Sequence, residues 1–186
     1  MDIPVTHAMY FAAIICPPGL DQDIIQYKYW MRDHFGCVQA LRSPAHITII
    51  PPFWLHLERE EKLKETLQAF TTDQNELIIQ LDSFSAFGKR VLFIRVLENP
   101  ELEAIKKQVE QHFAGIFGEI RKDDRPFHPH ITIAHRDLKP GDFEKAWSHF
   151  SQKEFKETFL LNTISLLKLT SGKWKVIEEK NLRFNF

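Results

Sequence analysis

The tetrapeptide H-I-T-I occurs twice, at His46-Ile47-Thr48-Ile49 and at His130-Ile131-Thr132-Ile133, 84 residues apart (46 to 130) in a chain of 186. A β-strand turns successive side chains to opposite faces. Within each copy the His and the Thr therefore share one face, and the two isoleucines take the other. Each copy offers an imidazole and a hydroxyl side by side, on a strand anchored from behind by apolar residues. Two such strands brought together would build one pocket with two imidazoles and two hydroxyls.

The surroundings of the two copies repeat as well. Residues 8–16 read as a buried strand stopped by Pro17-Pro18-Gly19. Leu20, Ile24, Met31 and Phe35 follow at helical spacing, with Gly36 suited to a helix C-terminus. The first H-I-T-I strand comes next, and Pro51-Pro52 is expected to end it, because proline cannot continue a central ladder. Residues 58–70 form an amphipathic helix with acidic residues in its first turn and Leu63, Leu67 and Phe70 inward. Strands are expected at 76–82 and 91–97. Asn99-Pro100 opens a helix carrying Leu102, Ile105, Val109 and Ile116, closed by Gly118. A polar stretch, 118–129, precedes the second H-I-T-I strand, and its charged run from Arg121 to Arg125 reads as a solvated loop or a lid. Pro140-Gly141-Asp142 starts a short helix, and 154–186 reads as three strands with a hairpin turn at Thr170–Lys173. The order is β-α-β-α-β-β-α-β-α-β-β-β, in which strand–helix–motif strand–helix occurs twice. No linker or low-complexity tract interrupts it. The expected fold is α+β: a single bilobal domain over 1–186, with two pseudo-symmetric lobes of mainly antiparallel sheet, helices on the outside and a central cleft.

Composition narrows the function classes. Net charge is −1 and the pI about 6.8, so no global basic field exists to bind long nucleic acid tightly. A local cluster of Arg and Lys would still hold a small or terminal anion. The 16 Phe supply an aromatic core. Two cysteines make no disulfide framework. The apolar run from Met9 to Cys16 is short and follows no basic residue, which argues against a signal peptide or a membrane span. A cytoplasmic location, no membrane partner and a monomeric state are the expectations.

Two imidazoles facing one another suit concerted acid–base work, because His titrates near neutrality and one ring can be neutral while the other carries a proton. In-line attack at phosphorus needs a base on the entering oxygen and an acid on the leaving one, on opposite sides. The threonine hydroxyls can donate to the non-bridging oxygens. This scheme requires no metal and no other cofactor. His128, His130 and His135 form H-x-H-x4-H, which admits a metal reading, but no carboxylate or cysteine stands at a familiar ligand spacing. Alternation also places His135 on the face opposite His130.

These residues give the chain a resemblance. It looks like the two-histidine (2H) phosphoesterase superfamily, which includes bacterial 2′–5′ RNA ligases and RNA 2′,3′-cyclic phosphodiesterases and carries two H-x-[ST]-x motifs. The contexts L-R-S-P-A-H-I-T-I-I-P-P-F, F-G-K-R-V-L-F-I-R-V and R-P-F-H-P-H-I-T-I-A support it, and it extends from about residue 8 to the C-terminus. The resemblance implies that His46 and His130 are the acid–base pair and that Thr48 and Thr132 bind the phosphate. By the same analogy His130 activates water and His46 protonates the departing ribose oxygen. The implied reaction opens a 2′,3′-cyclic phosphate in a nucleotide or RNA end, or makes and breaks 2′–5′ linkages. A nucleotide- or RNA-end-binding module without turnover and a hydrolase of a small non-RNA cyclic phosphodiester are the alternatives. Phe53, Arg90, Arg136, Arg42 and Trp174 are candidate substrate contacts, since aromatic rings stack on bases and guanidinium binds phosphate. Arg125 is a further candidate. Each has a plainer reading too: Phe53 and Trp174 as packing residues, Arg90 as the flank of a turn.

Overall fold

The computed structural model describes residues 6–72, 77–120 and 126–182. The elements follow the expected order: β1 (His7–Ile15), α1 (Pro18–Phe35), β2 (His46–His56), α2 (Glu60–Ala69), β3 (Leu77–Phe87), β4 (Val91–Val96), α3 (Pro100–Ala114), β5 (His130–Ala134), α4 (Pro140–Phe150), β6 (Lys156–Leu161), β7 (Thr163–Thr170) and β8 (Lys173–Asn181). Local chemistry sets several boundaries. Gly36 ends α1 in the left-handed region at φ 69, and its amide donates to the Arg32 carbonyl. The Asn99 side chain accepts from the Leu102 amide and caps α3. That helix closes at Ala114 rather than at Gly118. The Ile116 amide tightens onto the Phe113 carbonyl, and the chain turns to bury Phe117 in the core.

All strands among the described residues join one antiparallel sheet in the order β6-β3-β4-β5-β2-β1-β7-β8. Its two halves are the two lobes, and the motif strands β2 and β5 meet where the halves join. There Ile47 pairs with Ile131, the same position of each motif, so a pseudo-two-fold axis passes between them. The isoleucines of both motifs are buried to within 1% and face the helices. Ile24 and Met31 of α1, Leu63 of α2, Ile105 of α3 and Phe150 of α4 join them in one core. All four helices thus cover one face of the sheet, and the opposite face is open as the cleft. The lobes interlock: α1 packs on β5, and α3 packs on β2.

Pro51-Pro52 does not end the first motif strand. β2 runs on to His56. Tyr10 pairs with Phe53 and Ala12 with Ile50, so both prolines stand opposite the single residue Phe11, in a bulge. A bulge leaves residues out of the ladder, and a missing N–H costs nothing there. Similarly, β3 passes a register shift at Asp82-Ser83, where Ser83 takes φ 59, and extends to Phe87. No helix among the described residues is long and apolar enough to cross a membrane.

Candidate active site

The two histidines are oriented by the same local device. His46 Nδ1 lies 2.8 Å from the carbonyl of Pro44, and His130 Nδ1 lies 2.7 Å from the carbonyl of His128, two residues back in each case. A carbonyl can only accept, so both Nδ1 atoms carry the proton and both Nε2 atoms are left as the free nitrogens. Each imidazole also rests on a phenylalanine of the strand on its outer side. Phe11 of β1 lies 5.0 Å from His46 between centroids, and Phe93 of β4 lies 5.1 Å from His130. Phe87 adds an edge contact to His130 at 5.0 Å.

The segment before His46 is tied down from α1. The Asp21 carboxylate accepts from the Ala45 amide at 2.6 Å, and the buried Lys28 ammonium donates to the Ser43 carbonyl at 3.1 Å. Burial pushes Lys28 down to about 8. It also pushes His46 down to about 4, with Lys28, His130 and His135 adding repulsion. His130 is lowered as well, by burial first and then by His128. Both rings are therefore neutral near pH 7.

Two cavities open beside the paired strands. One, of about 490 Å³, is lined by His46, Thr48, Thr132, His135, Arg42, Arg136 and Trp174, among others. The second, of about 580 Å³, is lined by His130, Thr48, His128, Phe87, Phe127 and Lys106, among others. Thr48 belongs to both. Among the described residues, neither threonine hydroxyl has a protein hydrogen-bond partner, so each is available to a ligand.

The candidate contacts divide. Arg42, Arg136 and Trp174 line the cavity of His46. Arg42 is braced by the Gly172 carbonyl at 2.6 Å and the Gln39 side chain at 2.9 Å. Arg136 takes φ 54, inside a turn in which the Asp137 amide donates to the His135 carbonyl. The Asp137 carboxylate then accepts from the amides of Val38 and Gln39, tying this loop to the facing wall. Trp174 stands edge-on to Phe11 at 4.6 Å. Phe53 is not in the cleft. It is 7% exposed and packs in the helix-side core beside Tyr10. The alternation of the motif does not carry through to Phe53, because register shifts lie on both sides of Ile50, which is itself buried in that core. Pairing with Tyr10 sets Phe53, and Pro52 lines the first cavity. Arg90 sits in the exposed β3–β4 turn and lines neither cavity. Arg125, with the charged run that begins at Arg121, lies outside the described residues. His135 faces the cleft, contrary to strand alternation, because β5 ends at Ala134 and the turn at Arg136 redirects the chain. Phe11, Phe93, Phe127 and Lys106 were not readable as site residues. Phe11 and Phe93 lie on strands and Lys106 on a helix whose partners are known only once the sheet order is, and Phe127 lies in the irregular segment before β5.

A family model described as the 2′–5′ RNA ligase superfamily matches residues 17–173. No curated protein matches. Among solved structures, TT0787 of Thermus thermophilus is 17% identical, with a TM-score of 0.66 over 96% of this chain and 100% of its own. E. coli LigT complexed with 3′-AMP is 19% identical, with a TM-score of 0.66 over 95% and 98%. The MHV ns2 PDE domain is 15% identical, with a TM-score of 0.53 over 88% and 99%. These likenesses establish the shared fold, and the family match spans both H-I-T-I strands: the chain belongs to the 2′–5′ RNA ligase superfamily of two-histidine phosphoesterases.

Proposed function

We propose that this protein is a metal-independent phosphodiesterase that opens 2′,3′-cyclic phosphates, or makes and breaks 2′–5′ linkages, in nucleotides or RNA ends. The observation that carries this reading is the pair of histidines with matched Nδ1 locks, beside two uncommitted threonine hydroxyls. In hydrolysis, a water oxygen forms a bond to phosphorus and gives its proton to Nε2 of one histidine. The bond from phosphorus to a ribose oxygen breaks, and that oxygen takes a proton from Nε2 of the other, protonated histidine. Thr48 and Thr132 donate to the non-bridging oxygens, and Arg42 and Arg136 balance their charge. The arriving phosphate anion raises the histidine pKa values, so that one ring takes up a proton from solvent and serves as the acid. His46, the more deeply set ring, is the better held in its neutral form, which favours it as base and His130 as acid. This reverses the roles drawn from the resemblance. That E. coli LigT has been solved with 3′-AMP, with ATP and with NADP+ supports a nucleotide ligand here. A monomer acting in the cytoplasm belongs to the same reading.

The test is turnover of a mononucleoside 2′,3′-cyclic phosphate in excess EDTA. His46→Ala and His130→Ala should each lose on the order of 10²–10⁴-fold in kcat, the usual worth of a general acid or base. With an aryl ester in place of the ribose leaving group, the His130→Ala loss should shrink while the His46→Ala loss stays. Equal activity in wild type and both variants, or strict metal dependence, would overturn the proposal. Binding of the product without any turnover would return the binding module.

A further inference from the structure

Beyond His130 and Thr48, the walls of the second cavity take no part in the acid–base chemistry. This cavity lies on the His130 side of the motif strands, shares only Thr48 with the cavity of Arg42 and Arg136, and measures about 580 Å³. We infer that it is a second subsite, which takes the planar base of the group on the far side of the phosphate, with Phe127 and Lys106 as the residues that select it. This rests on the reading of the cleft as a phosphodiester site.

The placement comes first. In-line displacement puts the entering and leaving groups on opposite sides of phosphorus. Two cavities meeting at one phosphate-binding threonine match the two sides of one diester. A water nucleophile needs no cavity of this size, which lies within the range of ~300–1,000 Å³ that accommodates small organic ligands.

The chemistry of the walls is the second line. The first cavity presents two guanidinium groups, whereas the second is walled mainly by Pro51, Phe87, Phe127 and neighbouring prolines. Phe87 keeps 39% of its surface exposed beside His130, an apolar ring in water that a ligand would cover. The cation here is Lys106 of α3, whose side chain is only 10% exposed. Its Nζ lies 2.5 Å from the Glu110 carboxylate and 5.3 Å from the centre of the Phe127 ring. The ion pair cancels its charge, so it makes a poor trap for a second phosphate. An ammonium has three donors, and Glu110 takes one. What remains is a flat apolar slot with a buried N–H donor at its edge. That suits an uncharged ring bearing carbonyl or ring-nitrogen acceptors, which describes a nucleobase. A buried Lys–Glu pair is also a costly way to fill space that apolar side chains would fill more cheaply.

The experiment compares kcat/KM for a dinucleoside 2′–5′ monophosphate and for a mononucleoside 2′,3′-cyclic phosphate, in EDTA, with wild type, Phe127→Ala, Phe127→Tyr and Lys106→Met. The ratio of the two values should fall on the order of tenfold or more in Phe127→Ala, the scale of one lost base stack. It should fall about tenfold in Lys106→Met, the scale of one lost hydrogen bond to a charged donor, and recover in Phe127→Tyr. An unchanged ratio in Phe127→Ala and Lys106→Met, whether both substrates suffer equally or neither does, would overturn the subsite. Should the wild type turn over neither substrate, the proposed reaction fails, and calorimetry decides the subsite separately. Tighter binding of the dinucleotide than of the mononucleotide, lost in Phe127→Ala, upholds it, and equal affinities overturn it.

Discussion

At the scale of single residues, the position of one proton organises the site. His46 and His130 each commit Nδ1 to a carbonyl of their own chain, which leaves Nε2 for chemistry and, with the phenylalanine each ring rests on, fixes its orientation. The same surroundings make His46 a weak base, and this has a consequence for stability. Burial disfavours its charged form and pushes it down to about 4, from an ordinary value of 6.5. Between those values the unfolded chain binds a proton at position 46 that the folded chain does not. Stability therefore falls as pH drops through 6.5 and levels off near 4. His130, His135 and His149 are lowered too and act in the same direction. In urea unfolding at pH 7 and pH 5, wild type should lose stability on acidification. His46→Leu should lose less, by about 1–2 kcal/mol, a figure discounted for the part of the ring that still faces the cleft. An identical drop in both proteins would mean that His46 titrates normally. The His and Thr positions were legible because strand parity depends only on the chain itself. Phe53 was not legible in this way, because the register shifts on either side of Ile50 break the alternation between the motif and that residue.

At the scale of elements, the β7–β8 hairpin joins local turn chemistry to the site. Thr170-Ser171-Gly172-Lys173 was readable as a turn from its residue types. Ser171 and Gly172 indeed take φ 50 and φ 77, the left-handed pair of a type I′ turn. What the turn supports was not readable: the Gly172 carbonyl receives the Arg42 guanidinium from a segment 130 residues earlier. Ser171→Asn should raise stability by about 0.5 kcal/mol, because Asn adopts this conformation more readily than Ser. Gly172→Val should lower it by about 1–2 kcal/mol, because a branched side chain is strained at positive φ. It should also raise KM for an anionic substrate as Arg42 loses its brace. Thermal melts and steady-state kinetics would check both, and an unchanged KM in Gly172→Val would detach the turn from the site. The prolines of β2 show the converse case. Whether a proline stops a strand depends on what lies opposite, and a bulge against Phe11 is a property of the pairing that neither strand reveals alone.

At the scale of the whole molecule, the repeat of strand–helix–strand–helix was visible in the chain, but the way the halves lock together was not. Because α1 lies on β5 and α3 on β2, each half covers the motif strand of the other. Neither lobe can bury its own isoleucines without its neighbour. Ile47 and Ile131 sit opposite one another on the pseudo-axis, both fully buried. Ile47→Ala and Ile131→Ala should therefore cost similar amounts, about 2–5 kcal/mol each, from lost transfer energy and the cavity left behind. Since the two sites touch, the double variant should lose measurably more or less than the sum of the two, by about 0.5–3 kcal/mol. Unfolding should remain a single transition in every variant, with tryptophan fluorescence and far-UV circular dichroism changing together. Trp174 reports from one half of the sheet, and Trp147, on α4, reports from beside a helix of the core. Two separated transitions would show that the lobes fold on their own. The site would then be an interface between independent units rather than the centre of one sheet.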